Sequence, residues 1–204
     1  MFIDIHPDNP NPYKVKQVVE CLKKGGLIIY PTDTVYAIGC DIYQKSAVER
    51  LGWIKGVKTD KMNYSFIFDD LSQISFFTVN FGTPIYKLMR KSLPGPYTFI
   101  LKANNEIPKL FKNKKRTIGI RIPDNNIARA IVQELGNPIL TTSLHHQDEI
   151  IEYMTDPYEI NEQFSSRVDM VIDGGIGGMV PSTIIDCSSG YPELIREGKG
   201  EVNF

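Results

Sequence analysis

Gly25-Gly26-Leu27-Ile28-Ile29-Tyr30-Pro31-Thr32-Asp33-Thr34-Val35-Tyr36-Ala37-Ile38-Gly39 is the stretch on which the fold turns. Residues 13–24 before it carry Val15, Val18, Val19 and Leu22 at helical spacing, and Gly25-Gly26 stops that helix. Leu27-Ile28-Ile29-Tyr30 is a short apolar run and reads as a buried strand. A polar loop follows, in which Thr32, Asp33, Thr34 and Tyr36 crowd hydrogen-bonding groups together. Ligands tend to sit at the ends of strands in α/β sheets. The same residues also suit an ordinary strand-to-helix turn, with Asp and Thr satisfying backbone N–H groups.

Upstream, Asn9-Pro10-Asn11-Pro12 is a turn leading into the first helix. Downstream, helices are expected over 46–54 with Ser46 as the cap, over Pro84–Lys91, over 125–135 and over Asp156–Phe164. Strands are expected at Ser65–Phe68, Tyr97–Lys102, Ile118–Ile122, Ile139–Thr142, Met170–Ile172, Thr183–Asp186 and Glu193–Arg196. Pro94-Gly95-Pro96 is a rigid turn, and Gly174-Gly175-Ile176-Gly177-Gly178 a flexible one. Helices and strands that alternate imply an α/β sheet with helices packed on it. Strand order and direction stay open at this point.

The chain has 204 residues, 42% hydrophobic and 23% charged, enough for one self-sufficient core and unlike a disordered chain. No linker divides it, so residues 1–204 are read as a single domain. No apolar run approaches the roughly 18 residues of a membrane span, and Met1-Phe2-Ile3-Asp4-Ile5-His6 does not read as a signal peptide. A cytoplasmic protein is expected, and both a monomer and a weak dimer fit. Cys21, Cys40 and Cys187 are widely separated and read as reduced, mostly buried thiols. No zinc-ligand spacing occurs among Cys, His6, His145 and His146.

The net charge of -1 conceals a basic segment over residues 109–121: Lys109, Lys112, Lys114, Lys115, Arg116 and Arg121 with no acid among them. Such a patch can bind phosphates, and it also suits a solvated loop. Arg121 differs from the rest. It lies inside Ile118-Gly119-Ile120-Arg121-Ile122, where an idle charge would be costly.

Five segments together resemble the YrdC family: Pro31-Thr32-Asp33-Thr34-Val35-Tyr36, Leu93–Leu101 (LPGPYTFIL), Ile118–Pro123 (IGIRIP), Pro181–Asp186 (PSTIID) and Ile195–Gly198 (IREG). They stand in that family's order and spacing. The resemblance implies a twisted sheet flanked by helices with a concave cleft. It implies a threonylcarbamoyl-AMP synthase-like reaction of ATP, threonine and bicarbonate, with magnesium accompanying ATP, in the service of tRNA modification. It implies that Thr34, Arg121 and Ser182 contact the amino acid, and that Lys55, Lys61, Thr117, Ser143 and Arg196 face the nucleotide. Ending at Phe204, the chain is expected to lack the extra C-terminal domain of longer members.

The chain departs from the synthases at two motifs. Their K-x-R-P run reads Lys55-Gly56-Val57-Lys58 here, and their Ser-x-Asn reads Ser143-Leu144-His145. Valine makes no bidentate phosphate contact, and histidine replaces a fixed amide by a titratable ring. A histidine of some members aligns with Phe66. This pattern resembles the YciO branch. The alternatives to a synthase are a factor binding tRNA or double-stranded RNA through Lys112, Lys114, Lys115 and Arg116, and a nucleotide sensor.

Overall fold

The computed structural model describes residues 1–56, 64–108, 116–144 and 153–202. Among them, ten strands form one mixed sheet: β1 (Phe2–Asp4), β2 (Ile28–Tyr30), β3 (Ala37–Asp41), β4 (Ser65–Ile67), β5 (Tyr97–Lys102), β6 (Thr117–Arg121), β7 (Ile139–Ser143), β8 (Met170–Asp173), β9 (Thr183–Asp186) and β10 (Glu193–Arg196). Across the sheet the order is β1-β8-β2-β3-β7-β4-β6-β5-β9-β10.

Six helices among the described residues cover it: α1 (Pro12–Lys23), α2 (Lys45–Ile54), α3 (Ile74–Phe77), α4 (Gly82–Ser92), α5 (Asn126–Leu135) and α6 (Pro157–Phe164). The apolar stripes of α1 and α5 join Ile28, Tyr30, Ile67, Ile139 and Met170 in a core on one face. Helices α2, α3, α4 and α6 pack on the other face, over Ile29, Ile38, Phe66, Phe99, Ile118, Ile120 and Leu140. Burial of each such side chain contributes about 1.5–3 kcal/mol. No helix among the described residues is long and apolar enough to cross a membrane.

The expected elements are present with small shifts, and the first helix is capped as its turn suggests. Asn11 accepts from the Tyr13 N–H, and Pro12 occupies the first turn. Gly25 ends it at φ +81°, a backbone that favours glycine. Two expectations are corrected. Ser46 does not cap α2: the helix begins one residue earlier, and its N-cap, Gln44, makes no side-chain cap bond. The loop after β2 does not lead to a helix, because β3 intervenes and pairs antiparallel with β2. Gly39 sits in β3 because a Cβ there would meet the Leu140 carbonyl oxygen at 2.7 Å. Strand β1 and helix α3 were not among the sequence expectations.

All three thiols are free, with Cys40 and Cys187 buried. Burial pushes the Cys187 thiol up to about 11, and raises Cys40 and Cys21 as well. Cys40 and Cys187 should resist iodoacetamide at pH 8 and react only in denaturant. A thiol whose folded value lies above its ordinary one stabilises the fold while protonated. That contribution is present below about pH 9 and lost as pH rises toward 11, so the melting temperature should fall across that window. Fast labelling of either residue in the native protein would contradict the packing described.

Candidate active site

Register determines which side chains share a face, because residues paired across strands lie on the same side of a sheet. Ile67 pairs with both Arg121 and Ile139, so Arg121 lies on the α1/α5 face. By alternation, Ser65, Thr117, Gly119, Thr141 and Ser143 share that face. Phe99 pairs with Ile120 on the opposite side, which places Thr98 on the Arg121 face. The apolar cover of α1 and α5 reaches Ile67 and Ile139. Beyond it, over β7, β4, β6 and β5, the sheet presents hydroxyls and a guanidinium.

One wall of this polar surface is the loop 31–36. Arg121 lies on β6, with β3, β7 and β4 between it and β2. The loop nevertheless meets it: Arg121 Nη2 donates to Asp33 Oδ1 at 2.8 Å and to Thr34 Oγ1 at 3.0 Å. The loop therefore crosses the sheet face rather than leaving it. Its turn is internally tied, with Thr32 Oγ1 donating to the Val35 carbonyl at 2.7 Å and accepting from the Thr34 N–H. Asp33 Oδ2 accepts from the Asp124 N–H beyond β6. Behind the loop, a Cβ at Gly178 would meet the Thr34 carbonyl oxygen at 2.1 Å, so the 174–178 turn packs directly on it. The Tyr36 hydroxyl donates to the Gly175 carbonyl across the same contact.

The Arg121–Asp33 pair is deeply buried, with side chains 8% and 7% exposed. Burial pushes the guanidinium below its ordinary value, and the Asp33 charge opposes that shift. Arginine stays charged regardless. Asp33 is thus a site residue for which the sequence reading assigned no role. A charge expected in a strand interior needs an acid, and that need was the available signal.

Arg121 Nε is buried and has no hydrogen-bond partner among the described residues. Buried donors are rarely left in that state in proteins. On the far side, Ser182 Oγ lies 2.8 Å from Thr98 Oγ1, and Arg196 donates from Nε and Nη2 to the Ser182 carbonyl at 3.2 and 2.8 Å. Arg196 is close enough for its charge to depress that of Arg121 further. Among the described residues no carboxylate pairs with Arg196.

A second group lies toward the other end of the same strands. The Lys55 ammonium donates to the Ser143 carbonyl at 3.2 Å, and burial lowers its ordinary value. Thr117 opens β6 at this end, four residues and about 13 Å along the strand from Arg121. The structure therefore separates the expected residues along the strands. Thr34, Arg121, Ser182 and Arg196 gather near one end; Lys55 meets the Ser143 main chain at the other, where Thr117 opens β6. Lys61 and His145 lie outside the described residues, as do Val57, Lys58, Lys109, Lys112, Lys114 and Lys115. Phe66 packs in the core on the opposite face, so its departure from the synthase pattern does not bear on this surface.

Comparison with known proteins agrees with this architecture. The family model Sua5_yciO_yrdC, described as "Telomere recombination", matches residues 20–198. The chain is similar to YciO of Escherichia coli (strain K12), 43% identical over 98% of this chain and 97% of that protein. It is also similar to a threonylcarbamoyl-AMP synthase of Pseudomonas fluorescens, 29% identical over 87% of this chain and 95% of the synthase. The crystal structure of E. coli YciO matches with a TM-score of 0.91 at 40% identity, covering 98% of this chain and 97% of that one. The crystal structure of P. abyssi Sua5 complexed with L-threonine shares the fold, with a TM-score of 0.87 at 24% identity. That match covers 97% of this chain and 57% of the P. abyssi chain. The chain belongs to the Sua5/YciO/YrdC family, whose members include threonylcarbamoyl-AMP synthases.

Proposed function

We propose that the chain forms threonylcarbamoyl-AMP from ATP, bicarbonate and L-threonine, with turnover below that of the synthases. The observation that carries this reading is the buried, unpartnered Nε–H of Arg121, beside a guanidinium edge already held by Asp33 and Thr34. A planar carboxylate is the acceptor that suits a fixed guanidinium N–H. Thr34 and Ser182 supply hydroxyls in the same cluster, and an amino acid offers further polar groups for them. The P. abyssi relative bound to L-threonine supports the choice of amino acid.

In this reading the threonine amine takes up bicarbonate with loss of water, giving a carbamate. The carbamate oxygen attacks the α-phosphorus, and pyrophosphate leaves. The reaction needs orientation more than covalent help from the protein. Arg121 fixes the amino acid. Arg196 faces the charge that develops on the phosphates, and Lys55 and Ser143 receive the nucleotide at the other end of the surface. Magnesium enters as part of the ATP substrate, held through phosphate oxygens. The product would supply tRNA modification.

Purified protein given magnesium-ATP, bicarbonate and increasing L-threonine should release pyrophosphate with a saturable dependence on threonine. Glycine in place of threonine should not support release. Release that ignores threonine, or none while ATP still binds, would contradict the reading.

A further inference from the structure

The segment after β10 returns to the site. The Gly198 N–H donates to Thr183 Oγ1 at 3.0 Å, and the Lys199 N–H donates to the Pro181 carbonyl at 2.8 Å. A Cβ at Gly198 would meet the Pro181 carbonyl oxygen at 2.3 Å, and one at Gly200 the Tyr97 ring at 2.5 Å. Two close backbone approaches thus bracket Lys199 and leave its main chain little freedom. From this fixed base the Lys199 ammonium reaches the loop 31–36 and donates to the Asp33 carbonyl.

The charges around it do not balance. Asp33 answers Arg121, but no carboxylate pairs with either Arg196 or Lys199 among the described residues. The single hydrogen bond from Lys199 leaves two of the three ammonium donors for other acceptors. Two exposed cations without a carboxylate partner therefore flank Ser182, one at its carbonyl and one beside the adjoining loop. A single carboxylate would answer one of them. A polyphosphate carries charge for both.

We propose that Lys199 is an anion-binding residue of this site that, with Arg196, holds the pyrophosphate portion of the nucleotide. This deepens the synthase reading and rests on it. It also gives the cluster a cation on the polyphosphate, in a chain whose Val57 replaces the arginine of the synthase motif.

The test is calorimetric titration of the full chain with inorganic pyrophosphate, and separately with L-threonine. Lys199→Met and Lys199→Gln should each weaken pyrophosphate binding about ten- to a hundredfold, the range expected for a charge-assisted hydrogen bond. Lys199→Arg should restore most of it. Threonine affinity should stay within about twofold in Lys199→Gln, which can still hold the Asp33 carbonyl and so leaves the Thr34 loop in place. Glutamine keeps a donor for the Asp33 carbonyl. If Lys199 only tethered the loop, Lys199→Gln would bind pyrophosphate like the parent, and that result overturns the proposal. Pyrophosphate affinity unchanged in both neutral variants, or absent in the parent, does the same. A parent that binds pyrophosphate and ignores threonine supports this anion site while removing the synthase reading.

Discussion

Arg121→Met is expected to abolish threonine-dependent pyrophosphate release and to lower stability in the same variant. The two effects have one origin. The guanidinium both supplies the candidate carboxylate contact and neutralises Asp33 in a nearly dry position. Breaking a buried pair by removing one partner costs about 3–5 kcal/mol. Asp33 keeps the Asp124 N–H, so the loss belongs at the lower end of that range. Asp33→Asn combined with Arg121→Met removes the stranded charge and should recover much of the melting temperature without recovering activity. That contrast separates chemistry from folding. Arg121→Lys should also fail in turnover, because a point ammonium does not reproduce the planar fork. Parental rates in either Arg121 variant would remove the residue from the mechanism.

The second large effect runs in the opposite direction. Val57→Arg together with His145→Asn restores the two positions at which the chain departs from the synthase motifs. Neither lies among the described residues, but their described flanks meet, since Lys55 donates to the Ser143 carbonyl. A lost transition-state contact costs about 10²–10³ in kcat, so the double variant should raise pyrophosphate release by at least about a hundredfold. An unchanged rate would show that these positions do not limit the reaction.

Much of the fold is legible in the sequence where period and punctuation agree. The apolar stripes of α1 and α5, the glycine stop at Gly25 and the β-branched runs of β2, β6 and β7 all announce themselves. Strand β3 is hidden because Ala37-Ile38-Gly39-Cys40-Asp41 has weak strand propensity, and Gly39 answers a steric demand from a neighbouring strand. Strand β1 is only three residues long and gains its partner, β8, from more than 160 residues away. No local pattern encodes such a pairing. Strand order across the sheet is illegible for the same reason.

The site divides similarly. Arg121 was legible because a charge in an apolar strand requires an explanation. Thr34, Ser182 and Arg196 entered through motif resemblance; Thr34 accepts from Arg121, and Arg196 donates to the Ser182 carbonyl. Asp33 acquires its meaning only when the loop reaches past β3, β7 and β4 to Arg121. Lys199 looks like an ordinary surface lysine until its backbone is seen to be fixed by Gly198, Gly200 and Pro181.

Crystals of the protein grown with saturating L-threonine will show whether Arg121 Nε binds the amino-acid carboxylate. A threonine carboxylate oxygen is expected within hydrogen-bond distance of Arg121 Nε, with the Thr34 and Ser182 hydroxyls around the same molecule. Threonine bound on another surface, or an Nε that bonds a protein acceptor while threonine is absent, would contradict it.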